Sequence, residues 1–180
     1  PGKRKVIVGT NIAESSVTVT DVRYVIDLGL EKLPYYDPRN NTEALLLKRC
    51  SRASARQRAG RAGRVAPGVC FRLYSRQVFE EQMPLFAPPE MQRCSLLNLA
   101  LKVKMLEPES HPKRLLLDVL QPPALDAIDA AMQQLAWCGA TERVDGTGPV
   151  TELGKLLSHL PIDLNLGRLL VLGQVLGCLD

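Results

Sequence analysis

The chain has 180 residues, of which 46% are apolar and 23% charged, and a formal net charge of +4. That balance belongs to a globular chain and excludes a disordered one, and the length suffices to bury a core as one domain or two small ones. No uninterrupted apolar run approaches the roughly 18 residues of a membrane-crossing helix, so no membrane partner is expected.

The charge is uneven. Residues 1–90 carry 15 Lys/Arg against nine Asp/Glu, and residues 91–180 carry eight against ten. A polyanion therefore meets the first half more strongly. Cys50, Cys70, Cys94, Cys138 and Cys178 are scattered without a Cys-x-x-Cys pair, which predicts reduced, buried thiols inside the cell, in nucleus, cytoplasm or organelle matrix. His111 and His159 have no ligand-like spacing, and no metal site is expected.

In chain order, Pro1-Gly2-Lys3-Arg4-Lys5 runs into Val6-Ile7-Val8 with neither an initiator Met nor a signal segment, so the chain reads as an excerpt from a longer protein. Lys5 to Val8 and Tyr24-Val25-Ile26 are short apolar runs separated by a helix-length segment. They predict parallel strands of an α/β sheet. Pro38, Asp37, Asn40 and Asn41 predict a hairpin tip between Leu30 and Leu47. Val69 to Tyr74, opened by Pro67-Gly68, predicts a further strand. Pro84, Pro88 and Pro89 punctuate the chain and mark a domain boundary.

Three apolar stripes at helical spacing follow: Leu96, Leu99, Val103 and Leu106; Leu125, Ile128, Met132 and Leu135; Leu153, Leu156, Leu157 and Leu160. All are expected to be core. Asp145-Gly146-Thr147-Gly148-Pro149 is a turn able to carry a small wing.

Chemistry concentrates in Lys48 to Arg64, seventeen residues with seven Lys/Arg and no acid. If the stretch is helical, Gln57, Arg61 and Arg64 stand at i, i+4 and i+7 and share one face. An amide and two guanidiniums converging between small residues suit a multiply charged anion such as a nucleotide triphosphate. Gly60 and Gly63 let a ligand or another backbone come close. A solvated basic face is the alternative for any charge run.

Gln57-Arg58-Ala59-Gly60-Arg61-Ala62-Gly63-Arg64 resembles motif VI of the DEAH/DExH-box RNA helicases of superfamily 2, and Thr10-Asn11-Ile12-Ala13-Glu14-Ser15-Ser16-Val17-Thr18-Val19 resembles their motif V. Pro88-Pro89-Glu90-Met91-Gln92-Arg93 resembles their approach to a winged helix. Thr151-Glu152-Leu153-Gly154 and Leu160-Pro161-Ile162-Asp163 resemble the passage into the helical domain beyond it.

The resemblance implies an α/β RecA-like parallel sheet domain with a β-hairpin insertion, followed by an α-rich winged-helix domain. Residues 1–86 would be the C-terminal part of the second RecA-like domain, 87–152 the winged helix, and 153–180 the start of the helical ratchet domain. It implies a part of an ATP-dependent RNA helicase, with single-stranded RNA and an activating protein as partners. ATP with Mg2+ would be the cofactor, its metal ligands lying mainly in a first RecA-like domain.

By the same resemblance, Arg61 and Arg64 are arginine fingers on the γ-phosphate, and Gln57 positions the attacking water or a γ-phosphate oxygen. Thr10 and Asn11 hold the RNA backbone, and Ser16 sits between RNA and nucleotide. Thr10, Asn11 and Ser16 read without the family would simply cap a helix. Thr18 and Thr20 lie on the nucleotide side, although Thr20 occupies the place of a family acid that contacts the nucleotide, with Asp21 as its neighbour. Arg58 is divided between an ion pair inside the domain and a ligand contact. The chain contains no Gly-x-x-x-x-Gly-Lys-Ser/Thr phosphate loop and no Asp-Glu-x-His segment, so alone it is expected to be inactive. The alternative from a different class is a non-catalytic, helicase-like RNA-binding scaffold in a ribonucleoprotein particle; a viral or DNA helicase of the same superfamily is a third reading.

Overall fold

A computed structural model describes residues 3–15, 19–38, 40–108, 110–143, 145 and 148–178. The chain divides into two compact units, one formed by Pro1–Tyr35 and Ala44–Pro88, the other by Tyr36–Glu43 and Pro89–Asp180.

The first unit is built on a parallel strand pair. β1 (Tyr24–Asp27) and β4 (Val69–Arg72) run in register from Tyr24↔Val69 to Asp27↔Arg72. Parallel strands need a crossover, and this one carries β2 (Leu30–Asp37), β3 (Thr42–Arg49) and the helix α2 (Arg52–Ala59). β2 and β3 form the predicted hairpin. A four-residue helix, α1 (Ile12–Ser15), precedes β1.

The expected strand at Lys5 to Val8 is not formed. Residues 3–10 take no regular structure, and Val6 and Val8 lie 78% and 95% exposed. So short an apolar run becomes a strand only through a ladder, and β1 has its described pairing with β4 instead.

α2 starts where it does because Ser51 caps it. The Ser51 hydroxyl accepts from the Ser54 N–H at 3.0 Å, a cap worth about 1 kcal/mol. Behind it, Cys50, Ala55 and Met83 are buried against Tyr74, Val78 and Phe79. Arg52 donates to the carbonyls of Met83 (2.9 Å) and Glu80 (2.6 Å), which fastens the π-helical turn Val78–Gln82 to the start of α2.

The second unit is α-rich: α3 (Leu97–Leu106), α4 (Pro112–Leu117), α5 (Leu125–Trp137), α6 (Glu152–His159) and α7 (Leu164–Leu176). Its core joins Leu97, Ala100 and Leu101 to Leu116, to Ile128, Met132 and Leu135, and to Leu157 and Leu164. An antiparallel bridge, Thr141↔Val150, closes the segment between α5 and α6 where the small wing was expected; Val144, Gly146 and Thr147 lie outside the described residues. The hairpin tip belongs to this unit: the Tyr36 N–H donates to the Arg93 carbonyl (2.8 Å), and the Gln134 amide donates to the Tyr36 hydroxyl (2.7 Å).

Part of the predicted core is solvated. Leu106, Leu125 and Leu156 are 81%, 53% and 49% exposed. Leu106 and Leu125 are the terminal residues of α3 and α5, where no further turn covers them, and Leu156 lies beside, not on, the buried Gly154 and Leu157 of α6. The inner face of α3 includes Lys104 instead. Lys104 is completely buried, and its ammonium donates to the carbonyls of Pro108 (2.7 Å) and Ser110 (3.1 Å) beyond the helix end. Cys178 is likewise exposed rather than buried, at the left-handed end of α7, while Cys50 and Cys138 are buried.

Candidate functional site

The basic stretch folds in two parts. α2 ends at Ala59, and tight turns follow, with Arg61 N–H donating to Arg58 and Ala62 N–H to Ala59. The single helical face expected for Gln57, Arg61 and Arg64 is therefore not formed: Gln57 is on the helix, and both arginines are beyond its end. Glycine is a poor helix residue, and Gly63 sits at φ +154°, outside helical space. The turn presses onto Gly68, where an added Cβ would stand 2.7 Å from the Ala62 carbonyl carbon and oxygen and from the Arg23 oxygen.

Gln57 and Arg64 are exposed, and Arg61 is half-buried. The Arg61 guanidinium donates through Nη2 to the backbone carbonyl of Glu14 in α1. Its Nη1 is buried with no hydrogen-bond partner among the described residues. A buried donor without an acceptor costs roughly 1–3 kcal/mol, so an acceptor brought to this arm would be favoured.

Arg58 takes the ion-pair role. Its Nε donates to Glu14 Oε2 and its Nη1 to Asp27 Oδ1, both at 3.0 Å, with a further bond to the Leu30 carbonyl and Glu31 at 3.9 Å. Burial works against its charge, but the bonds to Glu14 and Asp27 outweigh that and raise the guanidinium pKa. Asp27 is 2% exposed and also accepts from the Gly29 N–H (2.9 Å) and the Tyr74 hydroxyl (2.8 Å). Burial, then the Asp27 carboxylate, push the Tyr74 phenol pKa up. Burial also raises the Cys50 thiol, against the lowering effect of Arg58.

On the α1 side, Thr10 and Asn11 are exposed. Thr10 performs the capping role as well: its Oγ1 accepts from the Ile12 N–H at 3.4 Å, and its carbonyl accepts from Ala13. Thr20 is exposed in the turn before β1, beside Asp21 at φ +70°. Ser16 and Thr18 lie outside the described residues.

The structure thus joins α1 to the turn after α2 through Glu14, which was quoted in the sequence motif but given no role. Asp27, which follows the apolar run Tyr24-Val25-Ile26, is a second acid that was given no role from the sequence. Its signal was available: an acid closing an apolar run two residues before a glycine is an Asx-turn pattern, and the Gly29 N–H on Asp27 is that turn.

Comparisons with known proteins agree along the whole chain. Residues 1–66 match the helicase conserved C-terminal domain. The chain is 45% identical over 185 residues to the ATP-dependent RNA helicase TDRD9 of Danio rerio, covering 100% of this chain and 14% of that protein. It is 45% identical to the DExH-box ATP-dependent RNA helicase DExH4, chloroplastic, of Arabidopsis thaliana, covering 99% of this chain and 12% of that protein. The DEAH/RHA helicase HrpB of Escherichia coli superposes with a TM-score of 0.78 at 31% identity, over 91% of this chain and 20% of that one. The chain spans about an eighth of the length of the two relatives, as those coverages give.

Proposed function

The chain belongs to the DEAH/DExH-box helicase family, and from that premise we propose that it forms one wall of the nucleotide cleft of an ATP-dependent RNA helicase. Its first unit has the RecA-like α/β fold of the helicase C-terminal domain. In this reading residues 1–86 complete the second RecA-like domain, 87–152 form the winged helix, and 153–180 open the helical domain.

The observation that carries the reading is Arg61. Its guanidinium stands half-buried, with one terminal nitrogen held by Glu14 and the other buried without an acceptor among the described residues. A γ-phosphate oxygen is an acceptor of the right charge, and a planar guanidinium meets such oxygens two at a time. Exposed Arg64 and Gln57 flank the same turn and would meet the same phosphate. Negative charge on the transferred phosphoryl oxygens would be stabilised by both arginines, and Gln57 would orient water. Exposed Thr10 and Asn11 would bond phosphate and sugar, which reads backbone and not base sequence.

Mg2+ would arrive with ATP. Glu14, Asp27 and Glu31 are engaged by Arg58, so they do not fit as its ligands. Single-stranded RNA and an activating protein are the proposed partners of the whole protein.

The test is ATP hydrolysis by the full-length protein with and without single-stranded RNA, beside Arg61→Ala. The variant is expected to keep RNA binding and lose turnover by at least about a hundredfold. Unchanged turnover in the variant would refute the finger assignment. RNA binding without turnover in the wild-type protein, with an activating partner supplied, would favour the scaffold reading.

A further inference from the structure

We propose that Glu14 is a positioning residue that carries the state of the Thr10–Asn11 turn to Arg61, and so sets how strongly RNA accelerates ATP turnover. The proposal rests on the helicase reading above.

Glu14 is held at both ends. Its carboxylate receives Arg58, and its backbone carbonyl receives Arg61. The two side chains of the ion pair are only 15% and 11% exposed, so it is shielded far more than a surface pair. Arg58 is itself anchored on the strand side by Asp27 and by the Leu30 carbonyl. The Glu14–Arg58 pair therefore fixes α1 against β1.

The link onward to Thr10 and Asn11 is short and stiff. Glu14 N–H donates to the Asn11 carbonyl at 3.0 Å, and Ala13 N–H to the Thr10 carbonyl at 3.1 Å. A displacement of Thr10 and Asn11 on taking up a phosphate reaches the Glu14 carbonyl within one turn. Among the described residues, that carbonyl is the acceptor that holds Arg61, and Nη1 on its other arm is buried without a partner. Moving it re-aims the guanidinium; holding it keeps Arg61 docked on α1. The coupling is a contiguous run of bonds from the exposed Thr10 and Asn11 to the half-buried Arg61, not mere proximity.

The experiment uses the full-length protein and single-stranded poly(U), comparing wild type with Glu14→Gln, Glu14→Asp, Arg58→Lys and the double Glu14→Gln/Arg58→Lys. Glu14→Gln keeps the size and the carbonyl but removes the charge that pairs with Arg58. The expected result is a fall of about tenfold in RNA-stimulated kcat, with RNA-free turnover and the KM for ATP within about threefold of wild type. Arg58→Lys should reproduce that pattern, and the double variant should be no worse than about the larger single effect, because both remove one interaction. Glu14→Asp, which restores the charge one methylene short, should recover part of the stimulation.

Equal losses of RNA-free and RNA-stimulated turnover would overturn the proposal, as would intact stimulation. If none of the single variants folds, Glu14 and Arg58 are structural and the proposal fails. A wild-type protein that RNA does not stimulate would sink the helicase reading itself, and this proposal with it.

Discussion

Asp27→Asn should destabilise the first unit by about 3 kcal/mol, most of it from one buried side chain that keeps its shape. The wild-type carboxylate is 2% exposed and receives three donors, from Gly29, Arg58 and Tyr74, at 2.9, 3.0 and 2.8 Å. A carboxylate offers acceptor sites on both oxygens; asparagine replaces one oxygen with a donating NH2. At least one of the three donors then faces another donor. Hydrogen bonds to charged groups are worth about 1.5–3 kcal/mol each, and breaking a buried ion pair typically costs about 3–5 kcal/mol. Glu14, Glu31 and the Leu30 carbonyl continue to hold Arg58, which keeps the total near the lower figure.

Against a typical domain stability of about 5–15 kcal/mol this is a large fraction. Hydrogen–deuterium exchange reads it by segment. Protection of amides in α2 and β4 should fall by about a hundredfold, while that of α5, in the other unit, stays within about threefold. A loss below about tenfold in α2 and β4 would refute the argument, because it would mean the three donors find equal partners without the charge.

Two further outcomes are expected. Tyr74→Phe removes the hydroxyl on Asp27 and should cost about 1–2 kcal/mol near neutral pH. It should also flatten the alkaline limb of stability. The folded state holds the phenol above its ordinary 10.0, so its contribution is whole below about pH 10 and drains as pH rises toward the folded value. Thermal midpoints measured across that range should fall faster for wild type than for Tyr74→Phe, and parallel curves would contradict it. Gly68→Ala places a Cβ 2.7 Å from main-chain atoms of Ala62 and Arg23, which have no flexible end to swing away. The expected cost is about 1–3 kcal/mol in chemical denaturation, with ATP turnover reduced as the Arg61 turn is displaced; a neutral substitution would show that the turn yields freely.

The two kinds of signal in this sequence differed in reach. Tyr24-Val25-Ile26 and Val69 to Tyr74 were readable as strands because short runs rich in β-branched and aromatic residues between turn residues have few other uses. The hairpin was readable from Asp37, Pro38, Asn40 and Asn41 for the same reason. Val6-Ile7-Val8 looked identical by composition, yet whether such a run becomes a strand depends on a neighbour that its own residues do not specify. The helical face of Gln57, Arg61 and Arg64 failed on the glycines between them, which were read for the access they give a ligand and not for the helix they end. Arg61 nevertheless stays close to α1, since it reaches Glu14 from a turn.

Glu14, and the pairing of Asp27 with Arg58, were invisible in the sequence because their significance is pairwise. An acid acquires it only when a guanidinium from more than thirty positions away meets it, as Arg58 does. The apolar stripes were legible as helices but not residue by residue. A periodic pattern marks a face, and Leu106, Leu125 and Leu156 show that helix ends and rims fall outside the buried arc.

Lys104 makes the second unit its own reporter. Its amine is sealed from solvent by the fold, whereas Lys102, two positions earlier on the same helix, is exposed. An amine-reactive reagent can reach Lys102 at any time but meets Lys104 only when α3 leaves its core or the Pro108 and Ser110 carbonyls let go. The ratio of the two labels, read from a single peptide by mass spectrometry, counts opening events of this unit inside a much longer protein, with no probe introduced and no other domain contributing to the signal.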